Sequence, residues 1–75
     1  MTLRQIVADN IRQLREKRKL TQEDLSILTG MSRTFLGDIE RGYKTLTIPR
    51  LEKVAKALKV EPYLLLKKNA AKEEN

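Results

Sequence analysis

The chain has 75 residues, none of them cysteine or histidine. Their absence removes the side chains most used for disulfides, structural zinc and nucleophile–base pairs. With only three glycines there is no glycine-rich loop to cradle a phosphate. Glu23 beside Asp24 is the nearest approach to a carboxylate pair, and helix capping accounts for Asp24. No catalytic residue, metal site, cofactor or small-molecule substrate is therefore expected. The longest aliphatic run, Leu64-Leu65-Leu66, is far short of the roughly 20 residues a membrane span needs. Met1-Thr2-Leu3-Arg4 leads straight into charged, periodic sequence, so no secretory leader is expected. With no cysteine, which fits a reducing compartment, this predicts a soluble, cytoplasmic protein without a membrane partner.

What the chain has is positive charge. Sixteen Lys and Arg face ten Asp and Glu, for a net charge of +6. Six of the basic residues lie in the first twenty positions, against Asp9 and Glu16 alone. An excess of this size favours an acidic partner, nucleic acid or an anionic surface, although basic charge also serves solubility. A chain this short builds one domain whose core supplies only a few kcal/mol of net stability. Without metal or disulfide, dimerisation is the remaining common support.

The periodicity is helical throughout and predicts a compact all-α domain of five helices, with no strand. Leu3, Val7, Ile11 and Leu14 mark an amphipathic first helix ending near Lys17, with Arg4, Arg12 and Arg15 on its polar face. Thr21 is placed to cap the second, with Asp24 three residues on as a variant capping box. Leu25 and Leu28 continue the apolar stripe, and Gly30 stops the helix as a left-handed residue would. Ser32 caps a third helix that Gly42 closes. Thr47 caps a fourth, with Pro49 in its first turn and Ile48, Leu51, Val54, Ala55 and Leu58 as its buried stripe. Leu20 with Leu25, Met31 with Leu36, and Leu46 with Leu51 repeat the spacing of a hydrophobic staple. Glu61-Pro62 opens a short last helix holding Tyr63 to Leu66. The domain is expected to span residues 1–68, with a polar, fraying tail at 69–75.

Residues 21–42 carry the functional reading. Two helices of about eight residues, joined only by Thr29-Gly30-Met31-Ser32, must cross steeply, which is helix-turn-helix geometry. In that geometry the first helix lies across the DNA backbone and the second enters the major groove. At 100° per residue, Ser32, Leu36, Ile39 and Glu40 share the core side of the third helix. Thr34, Gly37, Asp38 and Arg41 share the other, with Arg33 and Phe35 on the flanks. Arg33 and Thr34 stand in the first turn, which reaches base edges. Arginine there reads guanine O6 and N7, and threonine can donate, accept or meet a thymine methyl. Gly37 permits close approach to DNA, or is simply tolerated. Asp38 either accepts from a cytosine amino group or orients Arg33 or Arg41. Phe35 either meets thymine methyls or shields the core edge. Gln22 and Ser32 at helix N-termini, with Arg41, Tyr43 and Lys44 beyond the third helix, are candidate backbone contacts.

The segment L-T-Q-E-D-L-S-I-L-T-G-M-S-R-T-F-L-G-D-I-E-R-G, residues 20–42, resembles the helix-turn-helix family of Cro and the lambda-type phage repressors, the Xre-like regulators. The likeness runs back through Ile11-Arg12-Gln13-Leu14-Arg15 and forward to Leu65. S-R-T-F-L-G-D-I-E-R-G followed by T-L-T-I is most similar to the controller proteins of restriction–modification systems. The resemblance implies base contacts at Arg33 and Thr34, a backbone clamp at Gln22, and an Arg15–Glu40 ion pair whose arginine also offers an N–H to phosphate. Ser26 stands where the family commonly has alanine. The function it implies is a sequence-specific transcription regulator on a palindromic operator, touching RNA polymerase where it activates. One recognition helix reads too few base pairs alone, so a homodimer on double-stranded DNA is expected. Leu46, Tyr63 and Leu66 are its candidate interface, because the last helix holds more apolar side chains than it can bury. Two other uses of this fold are an antitoxin and a protein-interaction adaptor. An adaptor does not need Arg33 and Thr34 on the outward face, whereas an antitoxin binds its own promoter as well as a toxin.

Overall fold

The computed structural model describes residues 1–73. It contains five α-helices: α1 (Leu3–Lys17), α2 (Gln22–Thr29), α3 (Arg33–Glu40), α4 (Ile48–Leu58) and α5 (Ala70–Glu73). A 310 segment, Pro62–Leu66, lies between the last two, and no strand occurs among the described residues. Among the described residues no helix is long and apolar enough to cross a membrane.

The helix starts follow from local chemistry. Thr2 and Gln5 form a reciprocal capping box on α1, and Thr21 and Asp24 form another on α2. Ser32 accepts from the Phe35 N–H at 3.0 Å, and Thr47 accepts from Arg50 at 3.4 Å. Each cap satisfies an amide that the first helical turn leaves without a partner. Gly30 ends α2 at φ +75°, where any side chain would be strained.

Helices α1, α2, α3, α4 and the 310 segment surround one core. Ile11, Leu14, Leu25, Leu36, Val54, Leu58 and Leu65 are fully buried, and burial of each such side chain contributes about 1.5–3 kcal/mol before entropy. Three residues of the expected stripes do not join it: Leu3 is 55% exposed, Leu28 58% and Ile48 70%. Leu3 and Ile48 occupy the first positions of α1 and α4 and line one surface groove instead of the core. Leu28, near the end of α2, lines a separate groove with Leu20 and Ala57. Periodicity identifies an apolar side of a helix, but neighbouring elements decide how much of that side is covered.

The expected fifth helix is the 310 segment, and α5 is additional. The fold thus continues past residue 68, where a free tail was expected. Asn10, buried in α1, explains why. Its Nδ2 donates to the Leu65 and Lys67 carbonyls, both at 2.8 Å, and its Oδ1 accepts from the Ala70 N–H at 3.2 Å. Ala70 is fully buried, Lys17 donates to the Ala71 carbonyl, and Lys67 pairs with Glu73 at 2.7 Å. The part of the expected tail at 74 and 75 lies outside the described residues.

Asn10→Ala strands two carbonyls and an amide, and is expected to lower the unfolding free energy by about 2 kcal/mol. Urea denaturation measures this, and an unchanged midpoint would contradict the anchoring role. Asp24 gives a pH effect. The Thr21 backbone N–H first, and its hydroxyl second, hold the Asp24 carboxyl below its ordinary value of 3.8. Its folded pKa is depressed, so the cap's contribution is present above 3.8 and is lost as pH falls through the lower folded value. An NMR titration placing Asp24 at or above the ordinary value would contradict this.

Candidate nucleic-acid interface

The turn between α2 and α3 is built from side-chain hydrogen bonds as well as from glycine. The Thr29 hydroxyl donates to the Leu25 carbonyl at 2.7 Å and accepts from the Met31 N–H at 3.3 Å. The Ser26 hydroxyl donates to the Met31 carbonyl, so serine at this position adds a tie that alanine cannot. Met31 is buried beneath the turn. Both polar groups of its backbone are satisfied, and the start of α3 is held relative to α2.

One carboxylate ties this pair to α1. The Glu40 side chain, 4% exposed, takes Arg15 Nε at 2.7 Å and Nη2 at 3.0 Å. Arg15 Nη1 donates to the Leu20 carbonyl at 2.8 Å, and Gln22 Nε2 donates to Glu40 at 3.1 Å. The bidentate bond to Glu40 raises the Arg15 pKa above its ordinary range, overriding the opposing effect of burial. The group thus joins the last residue of α3, the first of α2 and the last turn of α1. Gln22 reaches the candidate interface from this cluster, and Arg15 keeps two guanidinium N–H groups beyond those bonds.

Helix α3 presents its faces largely as its periodicity dictates. Leu36, Ile39 and Glu40 are buried, and Arg33 and Thr34 are exposed. Ser32, expected on the core side, is exposed, because a cap residue sits at the helix end and turns its hydroxyl onto the backbone. Arg33 meets Glu23 of α2 at 3.5 Å. Both side chains are largely exposed, and such a pair contributes little, which leaves the arginine available. Thr21, Gln22, Glu23, Arg33, Thr34, Gly37 and Arg41 line one concavity. The structure therefore brings together residues that the sequence places on two helices.

Two residues expected to face outward are covered. Gly37 is buried, and Asp38 is 19% exposed. The cover is the chain's own cations. Arg41 Nη2 bonds Asp38 Oδ1 at 2.8 Å, and Lys44 Nζ lies 3.3 Å from Asp38 Oδ2. Arg41 first, then Lys44, hold the Asp38 carboxyl below the usual carboxylate range. The Arg41 guanidinium stands 5.3 Å from the exposed Tyr43 ring. Phe35 is half-buried against the core, with Arg50 at 5.0 Å and Lys44 at 5.8 Å from its ring, so it shields the core edge. Sequence reasoning missed Glu23 and Arg50. Both are brought in by the packing of α2 and α4 beside α3, and no local motif marks them.

The expected dimer residues are divided. Leu46 and Leu66 line one groove with Leu3, Val7, Ile48 and Leu51. Tyr63 is exposed but does not line it.

Removal of one partner from the buried pair is expected to be costly. Glu40→Ala should lower stability by about 3 kcal/mol, because Arg15 is left largely desolvated and half-paired. Chemical denaturation checks this, and a loss under about 1 kcal/mol, the range of a surface pair, would show that the pair is not structural.

A family model described as helix-turn-helix matches residues 11–65. The control protein C.SmaI of Serratia marcescens is 35% identical over 74 residues, covering 99% of this chain and 88% of that protein. The structure of a hypothetical transcription factor, NHTF, from Neisseria is 32% identical with a TM-score of 0.87, covering 97% of this chain and 84% of that one. The restriction–modification controller protein C.Esp1396I, solved as a tetramer in complex with its natural 35-base-pair operator, is 34% identical with a TM-score of 0.79, covering 87% of this chain and 86% of that one. With these likenesses and the α2–turn–α3 geometry, the chain belongs to the helix-turn-helix family, and its relatives there are Xre-like controllers.

Proposed function

We propose that the protein is a transcription regulator of the restriction–modification controller type, binding a palindromic operator in double-stranded DNA as a homodimer. The observation that carries this reading is the concavity where Arg33 and Thr34, exposed in the first turn of α3, stand beside Gln22 at the start of α2. That arrangement matches what major-groove recognition requires: base-reading side chains early in the second helix and phosphate ligands at the start of the first. Arg33 and Thr34 contact bases. Gln22, Ser32, Arg15, Tyr43 and Lys44 contact the backbone.

The dimer forms through the apolar face around Leu46 and Leu66, with Tyr63 at its margin. A symmetric dimer uses the same patch on both copies, and the exposed Leu3 and Ile48 enlarge it. The operator complex of C.Esp1396I, a tetramer, supports the further reading that dimers assemble in pairs on a long operator. Regulation then works by occupancy, excluding RNA polymerase from one position and contacting it from another. The protein acts in the cytoplasm, and no catalytic step is assigned to it.

Selection of bound duplexes from a random pool tests the reading, with two half-sites about one helical turn apart as the expected result. Folded protein that enriches no motif would overturn it. Arg33→Ala is expected to weaken operator binding by about 1–3 kcal/mol and to relax preference at one base pair. An equal loss on random DNA would contradict base reading. Leu66→Glu should convert the dimer to monomer in sedimentation without unfolding it, because Leu66 is exposed in the single chain.

A further inference from the structure

Gly37 and Arg41 are one helical turn apart on the outward side of α3. A Cβ built on Gly37 meets Arg41 Nη1 at 3.3 Å, Nη2 at 3.6 Å and Cζ at 3.7 Å. The guanidinium therefore does not extend past the helix end. It folds back along α3 and lies over the Gly37 backbone, in the same concavity that Arg33 and Thr34 line. Asp38 fixes it from the side at 2.8 Å, and the Tyr43 ring lies 5.3 Å from it. One of its five N–H groups is engaged by Asp38, and no other side chain among the described residues takes the rest.

The chemistry then sorts the roles. Both Asp38 oxygens already hold cations, Arg41 on one and Lys44 on the other. To accept from a cytosine amino group, Asp38 must release one of them beside a polyanion, where free cations are worth most and a bare carboxylate is repelled. The planar arginine over Gly37 keeps N–H groups that Asp38 does not take, and guanine O6 and N7 are the major-groove edge that a guanidinium's paired donors match. Gly37 and Arg33 are four residues apart, a rise of about 6 Å, or about two base-pair steps.

We infer that Arg41 reads a guanine about two base pairs from the position read by Arg33, and that Gly37 and Asp38 are positioning residues that aim it. This rests on the reading of α3 as the recognition helix. It reassigns Arg41 from the DNA backbone to a base, and Asp38 from a possible reader to a positioning residue.

The test uses the full chain on the selected operator, on a panel of its single-base-pair variants and on random duplex, across a range of salt. Arg41→Lys keeps the charge but loses the planar fork. It is expected to lower operator affinity about tenfold, to remove preference at one G·C pair other than the pair assigned to Arg33, and to leave the salt slope unchanged. Asp38→Asn should strengthen binding to random DNA by freeing two cations, while narrowing the ratio of operator to random affinity. Gly37→Leu fills the space under the guanidinium and should lose the same base preference as Arg41→Lys, with the fold checked by circular dichroism. The inference is overturned if Arg41→Lys changes operator and random binding alike or leaves both unchanged, as a phosphate contact would. It is also overturned if Asp38→Asn loses a cytosine preference while the guanine preference stays, since Asp38 then reads directly. If the wild-type protein enriches no motif, the reading of α3 itself has failed. A motif that Arg41→Lys does not relax sinks only the present assignment.

Discussion

The buried bond between Arg15 and Glu40 is the constraint on which the rest of the structure depends. Glu40 is the last residue of α3, and Arg15 lies near the end of α1. A carboxylate removed from water must be paired and hydrogen-bonded, and the packing of α1, α2 and α3 supplies Glu40 with two bonds from Arg15 and one from Gln22. Apolar side chains pack acceptably in more than one way. A bidentate ion pair with a fixed fork does not, so this cluster sets the angle at which α3 leaves the body. Gln22 belongs both to the cluster and to the concavity that Arg33 and Thr34 line, and the geometry of that face is thereby coupled to the core.

Around that frame, the cations at the outward face of α3 are held by the chain's own carboxylates. Glu23 holds Arg33 loosely at 3.5 Å between two exposed side chains, while Asp38 holds Arg41 and Lys44 with both oxygens. One arginine is left free to adapt and the other is set in place. The two acids also temper the positive field, which limits sequence-independent attraction to phosphates.

Much of this was legible in the chain. Thr21, Ser32 and Thr47 each stand just before an apolar period, and each caps a helix. Gly30 takes the left-handed conformation expected of it. These signals are local, involving residues within four positions of one another, and so they survive reading in one dimension. The stripes were legible as directions and failed as depths: Leu3, Leu28 and Ile48 point along apolar faces yet remain exposed. Asn10 gave no signal, because a single asparagine on a helix flank looks like any solvated residue until the carbonyls of 65 and 67 arrive beside it.

The order of the first four helices, the caps of α2, α3 and α4, the tight turn and the presence of Arg33 and Thr34 in the first turn of α3 were determined by the sequence alone, since each depends on backbone chemistry over one or two turns. The tertiary structure decided which apolar residues are covered, that residues 70–73 return to α1, and that Arg41 folds over Gly37 onto Asp38. Those outcomes depend on how groups from separate elements, or around a helix end, meet in space. Burial, pairing and desolvation exist only once those groups have met.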